Sequence, residues 1–134
     1  MIKYLKNGKI DYLATDHAPH SLAEKKKGIS GLTHRDTYGS FAAWLMAERE
    51  FTPGEIARVC ARNPGRFFNE FSKDKYGEIQ AGYVGSLVVI DLNKKNQITA
   101  EKLKTKNRWS PFLGATFPGS VVLTVVRGKP YEIK

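Results

Sequence analysis

The run Thr15-Asp16-His17-Ala18-Pro19-His20 puts one carboxylate and two imidazoles within six residues. Groups of these types accept and return protons, ligate divalent metals, or hold an anionic substrate group. Pro19 stiffens the turn between the two histidines, so Asp16 and His20 can be held in a defined relation. The run follows directly on Ile10-Asp11-Tyr12-Leu13-Ala14, which reads as a short strand. Acid and imidazole groups at the C-terminal end of a strand are well placed for chemistry, because α/β folds build their sites there. An Asp at this point can also simply cap the turn. Three near-adjacent ligands rarely close a metal tetrahedron unaided. No comparable cluster occurs elsewhere in the chain.

The surrounding elements follow from spacing. Met1 to Lys6 carries Ile2, Tyr4 and Leu5 at helical spacing, and Asn7-Gly8 stops it. After the strand at 10–14, a polar loop is expected from Asp16 to about Tyr38, including Lys25 to Lys27, Gly28 and Gly31. A loop of that length is often functional. Residues 40–50 read as a helix with Phe41, Trp44 and Leu45 on its apolar face. Thr52-Pro53-Gly54-Glu55 is a capping box with proline at the first helical position, ahead of Ile56, Val59 and Cys60 on the buried side. Asn63-Pro64 is expected to begin a further helical turn that carries Phe67 and Phe68 inward. Beyond Asp74 the pattern becomes β: a strand at 86–92, another at 119–126, a turn at 127–130 and a terminal strand at 131–133. The strand at 10–14 has no partner in its own half. It must pair either with the C-terminal β unit or with strands on other chain, and the pattern favours the second.

Composition narrows the class. With 134 residues, 41% hydrophobic and 26% charged, the chain is expected to be a soluble globular protein. It has no apolar run long enough to span a membrane and no apolar leader, so no membrane partner is expected. Its one cysteine, Cys60, cannot form an internal disulfide, which fits a cytoplasmic setting. The net charge of +9 raises the question of nucleic acid. The positive residues are spread along the chain, with no basic helix interleaved with aromatics, so solvated surface lysines are the preferred reading.

The chain resembles the C-terminal third of dihydroorotases, members of the amidohydrolase superfamily. The resemblance rests on Gly8 through His20, on Gly28-Ile29-Ser30-Gly31-Leu32, and on Asn63-Pro64-Gly65-Arg66-Phe67-Phe68. Further on it rests on Gly77-Glu78-Ile79 through Gly85 to Asp91, Asn107 to Gly114, and Val121 to Gly128. It implies an α/β fold: a C-terminal fragment of a metal-dependent hydrolase (β/α)8 barrel, comprising the last strand and closing helices, plus part of a small β-sandwich. Residues 1–72 would be the barrel segment and 73–134 the C-terminal share of the sandwich. The implied chemistry is reversible cyclisation of carbamoyl-aspartate to dihydroorotate, in pyrimidine biosynthesis, at a site with one or two zinc ions. Asp16 would be metal ligand and catalytic acid/base, moving a proton between hydroxide and the ring nitrogen. His20 would hydrogen-bond the substrate carboxylate, with backbone groups at Gly31 and Leu32 helping to hold it. His17 is not carried over as a ligand. Allantoinases and hydantoinases share much of the same pattern.

The departures are as informative. The family's His-x-His pair, its bridging lysine and two further ligand histidines are absent, and after Leu32 the chain has Thr33-His34-Arg35-Asp36 in place of the common Glu-Thr. The chain is therefore expected to be inactive by itself, with a missing barrel segment or a second copy as partner. Another reading is a non-catalytic interaction module derived from such an enzyme.

Overall fold

A computed structural model describes residues 1–133. The N-terminal helix α1, Ile2–Lys6, ends at Asn7, with Gly8 at φ +79°. Its last carbonyls accept from Arg58, whose Nη2 lies 3.0 Å from Leu5 O and 2.9 Å from Lys6 O. A cation is favourable there because a helix C-terminus presents unpaired carbonyls.

Residues 10–14, expected as a strand, belong to no ladder among the described residues. They run across the helices, with Leu13 N donating to Val59 O at 3.0 Å and the Tyr38 hydroxyl donating to Leu13 O at 2.9 Å. Asn63 Nδ2 donates to Asp11 O at 2.7 Å. The C-terminal sheet does not take this segment up, so the first of the two possible pairings is excluded within the described residues. The loop that follows is not structureless. It contains α2, Leu22–Lys26, opened by a reciprocal capping box between Ser21 and Glu24, and a 3-10 turn, Arg35–Thr37.

The long helix α3, Tyr38–Arg49, ends on Glu50 in the left-handed region. Thr52 and Glu55 form the expected capping box at the head of α4, Pro53–Ala57. The chain then passes without a break through a wide, π-type turn at Arg58–Arg62 into α5, Asn63–Asn69. Pro64 explains the widening. A proline has no N–H to donate and its ring collides with the carbonyl four residues back, so the preceding turn must open to keep the helix going. Gly65 lets α5 approach the segment after it, since a Cβ there would sit 2.5 Å from Tyr76 O.

The main core closes on Leu5, Ala42, Leu45, Phe51, Ile56 and Val59, with Cys60 partly buried at its edge. Phe67 and Phe68 do not point inward: they are 57% and 54% exposed. Phe67 instead packs against Tyr12 and Phe71, and Phe68 against Tyr76, on the outer side of α5.

Strands β1, Leu87–Asp91, β4, Ser120–Val126, and β5, Lys129–Glu132, form an antiparallel sheet in the order β1-β4-β5. A two-residue turn with Arg127 and Gly128 at φ +50° and +82° joins β4 to β5, as a tight hairpin requires. The short strands β2, Asn96–Gln97, and β3, Thr116–Phe117, pair separately and bring Ile98, Leu103 and Phe117 against Phe41 and Trp44 of α3. Gly39 and Gly119 allow α3 to lie close on the sheet; a Cβ on Gly39 would be 2.3 Å from Val121 Cγ2. Leu87, Val88 and Val89 of β1 stay exposed. No described helix is long and apolar enough to cross a membrane.

Candidate functional site

The motif loop turns sharply at its first residue. Asp16 is the one motif residue with positive φ, +44°, a conformation that Asp tolerates better than most but that still carries strain. Its carboxylate is exposed and takes no hydrogen bond among the described residues. His17 then forms an isolated parallel bridge with Leu32, and Ala18 N donates to Leu32 O at 3.0 Å. This short pairing lays the motif against Gly31 and Leu32.

Gly31 is required at that crossing. It has φ +105°, and a Cβ would meet Ala18 Cβ at 2.5 Å and His20 Cδ2 at 3.4 Å. His20 and the Gly31-Leu32 backbone are thus brought together as one corner of the surface. The half-buried His20 has Nδ1 3.9 Å from Glu24 Oε1, and its carbonyl accepts from Trp109 Nε1 at 2.7 Å. Hydrogen bonds from the Ser21 side chain and backbone hold the Glu24 carboxyl below its usual range, with the nearby His20 adding to the effect.

His17 faces a different way. Its Nδ1 accepts from the backbone N–H of His34 at 3.2 Å and of Arg35 at 3.3 Å, so it fastens the start of the 3-10 turn. His34 lies at a tilt against Phe112, ring centroids 5.9 Å apart, and lines a small, mostly apolar cavity of about 210 Å3 with Leu13, Thr15, Tyr38 and Phe41. Burial pushes the Tyr38 hydroxyl and the Cys60 thiol beside it above their ordinary values, so both stay protonated near neutral pH.

Residues that sequence spacing did not single out hold this corner in place. Thr33, buried, donates its hydroxyl to Trp109 O; Asp36 accepts from Thr105; and Asn107 Nδ2 donates to Pro19 O. These contacts join positions about seventy to ninety apart in the chain, and a local pattern cannot reveal them. The Ser21-x-x-Glu24 spacing is a local signal that does reveal α2.

The zinc ion implied by the resemblance can be tested against the donors present. No three His, Cys, Asp or Glu side chains converge among the described residues. A catalytic zinc needs about three protein ligands, and this corner offers one free carboxylate, Asp16. The residues of this chain do not, by themselves, fit that ion.

Comparison with known proteins agrees with this partial character. Residues 3–131 match the profile of the Amidohydrolase family. The chain is 33% identical over 130 residues to a dihydroorotase of Clostridium botulinum, covering 96% of this chain and 32% of that protein. It is 38% identical over 123 residues to a dihydroorotase of Archaeoglobus fulgidus, covering 90% and 29%. Its fold superposes with a TM-score of 0.86 on an L-hydantoinase (dihydropyrimidinase) from Arthrobacter aurescens, at 26% identity, covering 99% of this chain and 31% of that one. The chain spans about three tenths of the length of the relatives it matches. On the match that runs through nearly all of its residues, it belongs to the amidohydrolase family.

Proposed function

We propose that this chain supplies one corner of a cyclic amidohydrolase site of the dihydroorotase type, acting on the carbamoyl-aspartate and dihydroorotate pair. The observation that carries the reading is the crossing of the motif over Gly31-Leu32, which groups His20 with the backbone that the resemblance assigns to substrate binding. In this reading the exposed Asp16 carboxylate moves a proton to and from the ring nitrogen. His20 donates a hydrogen bond to the substrate carboxylate, with the Gly31 and Leu32 backbone bounding the same side. The metal of such a site would need ligands from outside this chain, and no step is assigned to it here.

The same reading treats residues 1–72 as barrel segment, residues 73–134 as sandwich segment, and the setting as cytoplasmic. Its partner is the remaining barrel, on the same polypeptide or a separate one, or else a second copy. The exposed apolar side chains Tyr12, Phe67 and Phe71, which touch one another, support a covering partner on that flank. A hydantoin-type ring is the second reading, supported by the likeness to the L-hydantoinase.

A chimaera tests it. Residues 3–131 replace the matching C-terminal part of the Clostridium botulinum dihydroorotase, and turnover of dihydroorotate and of a hydantoin is measured in parallel. Dihydroorotate turnover that Asp16→Asn abolishes is the expected result. A folded chimaera that turns over only hydantoin overturns the substrate assignment, and turnover that survives Asp16→Asn overturns the role of Asp16. The 134-residue chain by itself, with zinc added, is expected to be inactive.

A further inference from the structure

A recess beside the motif is not used by Asp16 or His20. It encloses about 360 Å3 and is walled by His17 from the motif, Arg35 and Asp36 from the 3-10 turn, and Lys104, Thr105 and Lys106 from the tail. Its walls are braced. One carboxylate oxygen of Asp36 accepts both the amide of Thr105 at 2.9 Å and its hydroxyl at 2.6 Å, and Asn107 ties the tail to Pro19.

The charge of the recess is one-sided. Arg35, Lys104 and Lys106 are exposed and form no ion pair among the described residues. The single acid in the wall, Asp36, has one oxygen engaged in holding the tail. His17 adds a directed donor. Two backbone amides point at its Nδ1, so in the neutral ring the proton sits on Nε2 and that nitrogen is free to donate. Three cations against one tied carboxylate leave an excess of two positive charges in a concave space, where field lines concentrate.

We propose that this recess is an anion site separate from Asp16 and His20, taking a small doubly charged oxyanion such as a phosphoryl group or a pair of carboxylates. The Arg35 fork and the two ammonium groups suit oxygens spread over a compact dianion. The volume is at the small end for ligand pockets, where roughly 300–1,000 Å3 is usual, which favours a small ion over a long polymer. No Phe, Tyr or Trp lines the recess, so it lacks the broad stacking platform that single-stranded nucleic acid uses. The inference stands whether or not the parent enzyme acts on dihydroorotate.

The full chain, labelled with 15N, is titrated with inorganic phosphate and separately with succinate, at constant ionic strength. Saturable shifts are expected at the amides of Arg35, Thr105 and Lys106, and the tighter of the two ions identifies the source of the charge. The paired change Lys104→Gln/Lys106→Gln is expected to weaken binding about tenfold or more, since charge-assisted contacts are lost. The control Lys94→Gln/Lys95→Gln removes the same charge from the exposed turn between β1 and β2, and is expected to change affinity less than about twofold because it lies outside the recess. Should the tail variant fail to fold by circular dichroism, Arg35→Gln takes its place. Equal losses from the recess and control variants, chloride acting as well as phosphate, or absence of saturable shifts would overturn the site. Tighter binding of an oligonucleotide, with shifts spreading to Lys94 and Lys95, would overturn it in favour of a nucleic-acid face.

Discussion

The helical core and the motif corner are held by different forces. The core, built from α1, α3 and the α4–α5 run, closes on side chains as buried as Leu45 and Val59, both at 0% exposure. The corner, residues 15–36 with 104–110, has Trp109 as its main buried apolar contact and is tied together by hydrogen bonds given by Thr33, Asn107 and Trp109 and by the two that Asp36 accepts from Thr105. Apolar burial is cooperative across a core, whereas hydrogen bonds each contribute only about 1 kcal/mol net. The corner can therefore open while the core stays folded. The geometry of His20 and Gly31-Leu32 depends on the weaker set of contacts.

Two substitutions should separate the regions most clearly. Leu45→Ala removes a fully buried side chain, and is expected to cost about 2–5 kcal/mol of global stability. Denaturant unfolding and amide exchange should report the loss in both regions together. Gly31→Ala places a Cβ 2.5 Å from Ala18 Cβ at a φ of +105°, and is expected to cost about 1–3 kcal/mol. Its effect should be confined to faster exchange at residues 17–20 and 31–33. A Gly31→Ala variant that unfolds the α3 amides equally would show that the two regions are one cooperative unit.

The same division explains what could be read from the sequence. The helix expected at 40–50, the Thr52–Glu55 capping box and the turn expected at 127–130 are written in local spacing. The structure has the capping box, a helix at Tyr38–Arg49, and a turn narrowed to Arg127-Gly128 because Lys129 and Pro130 already pair in β5. The strand expected at 10–14 is unpaired among the described residues, because a strand needs a neighbour and the neighbour expected for it lies on other chain. Phe67 and Phe68 fail for a related reason: their spacing marks an apolar helix face, but nothing among the described residues covers it. In the corner, the motif was legible because a cluster of titratable groups is a local signal, and Gly31 because the resemblance includes it. The partners that Trp109 and Asn107 take, and the Asp36–Thr105 tie, were not, because only the fold brings them to the motif.

Smaller changes sharpen the comparison. Trp109→Phe keeps the apolar bulk but removes the Nε1–H donated to His20 O, and is expected to cost about 1 kcal/mol. Faster exchange at residues 18–21 is the readout. Equal loss throughout α3 would instead mean that Trp109 acts through bulk packing.

The two capping boxes give the finest test, because each region contains one. Glu24 and Glu55 are both held below the usual carboxyl value of 4.5, Glu24 chiefly by the Ser21 side chain and Glu55 chiefly by the Thr52 backbone N–H. A carboxyl whose folded value is lowered stabilises the helix fully above its unfolded value. That contribution is lost as the pH falls through the lower folded value. Acidifying from about pH 5 to about pH 3 should therefore weaken both helix starts. In α2, which has no buried residue, the loss should appear as local fraying of 22–28. In α4, anchored by Ile56 and continuous with Val59, fraying is opposed by burial, so the same loss should register only in global unfolding. Ser21→Ala should reduce the acid dependence of exchange at 22–28, leaving the part due to the Ser21 backbone N–H and His20, while Thr52→Ala should leave it unchanged. If Thr52→Ala alters the pH dependence at 22–28 as well, the corner shares the stability of the core and its contacts are not separable from it.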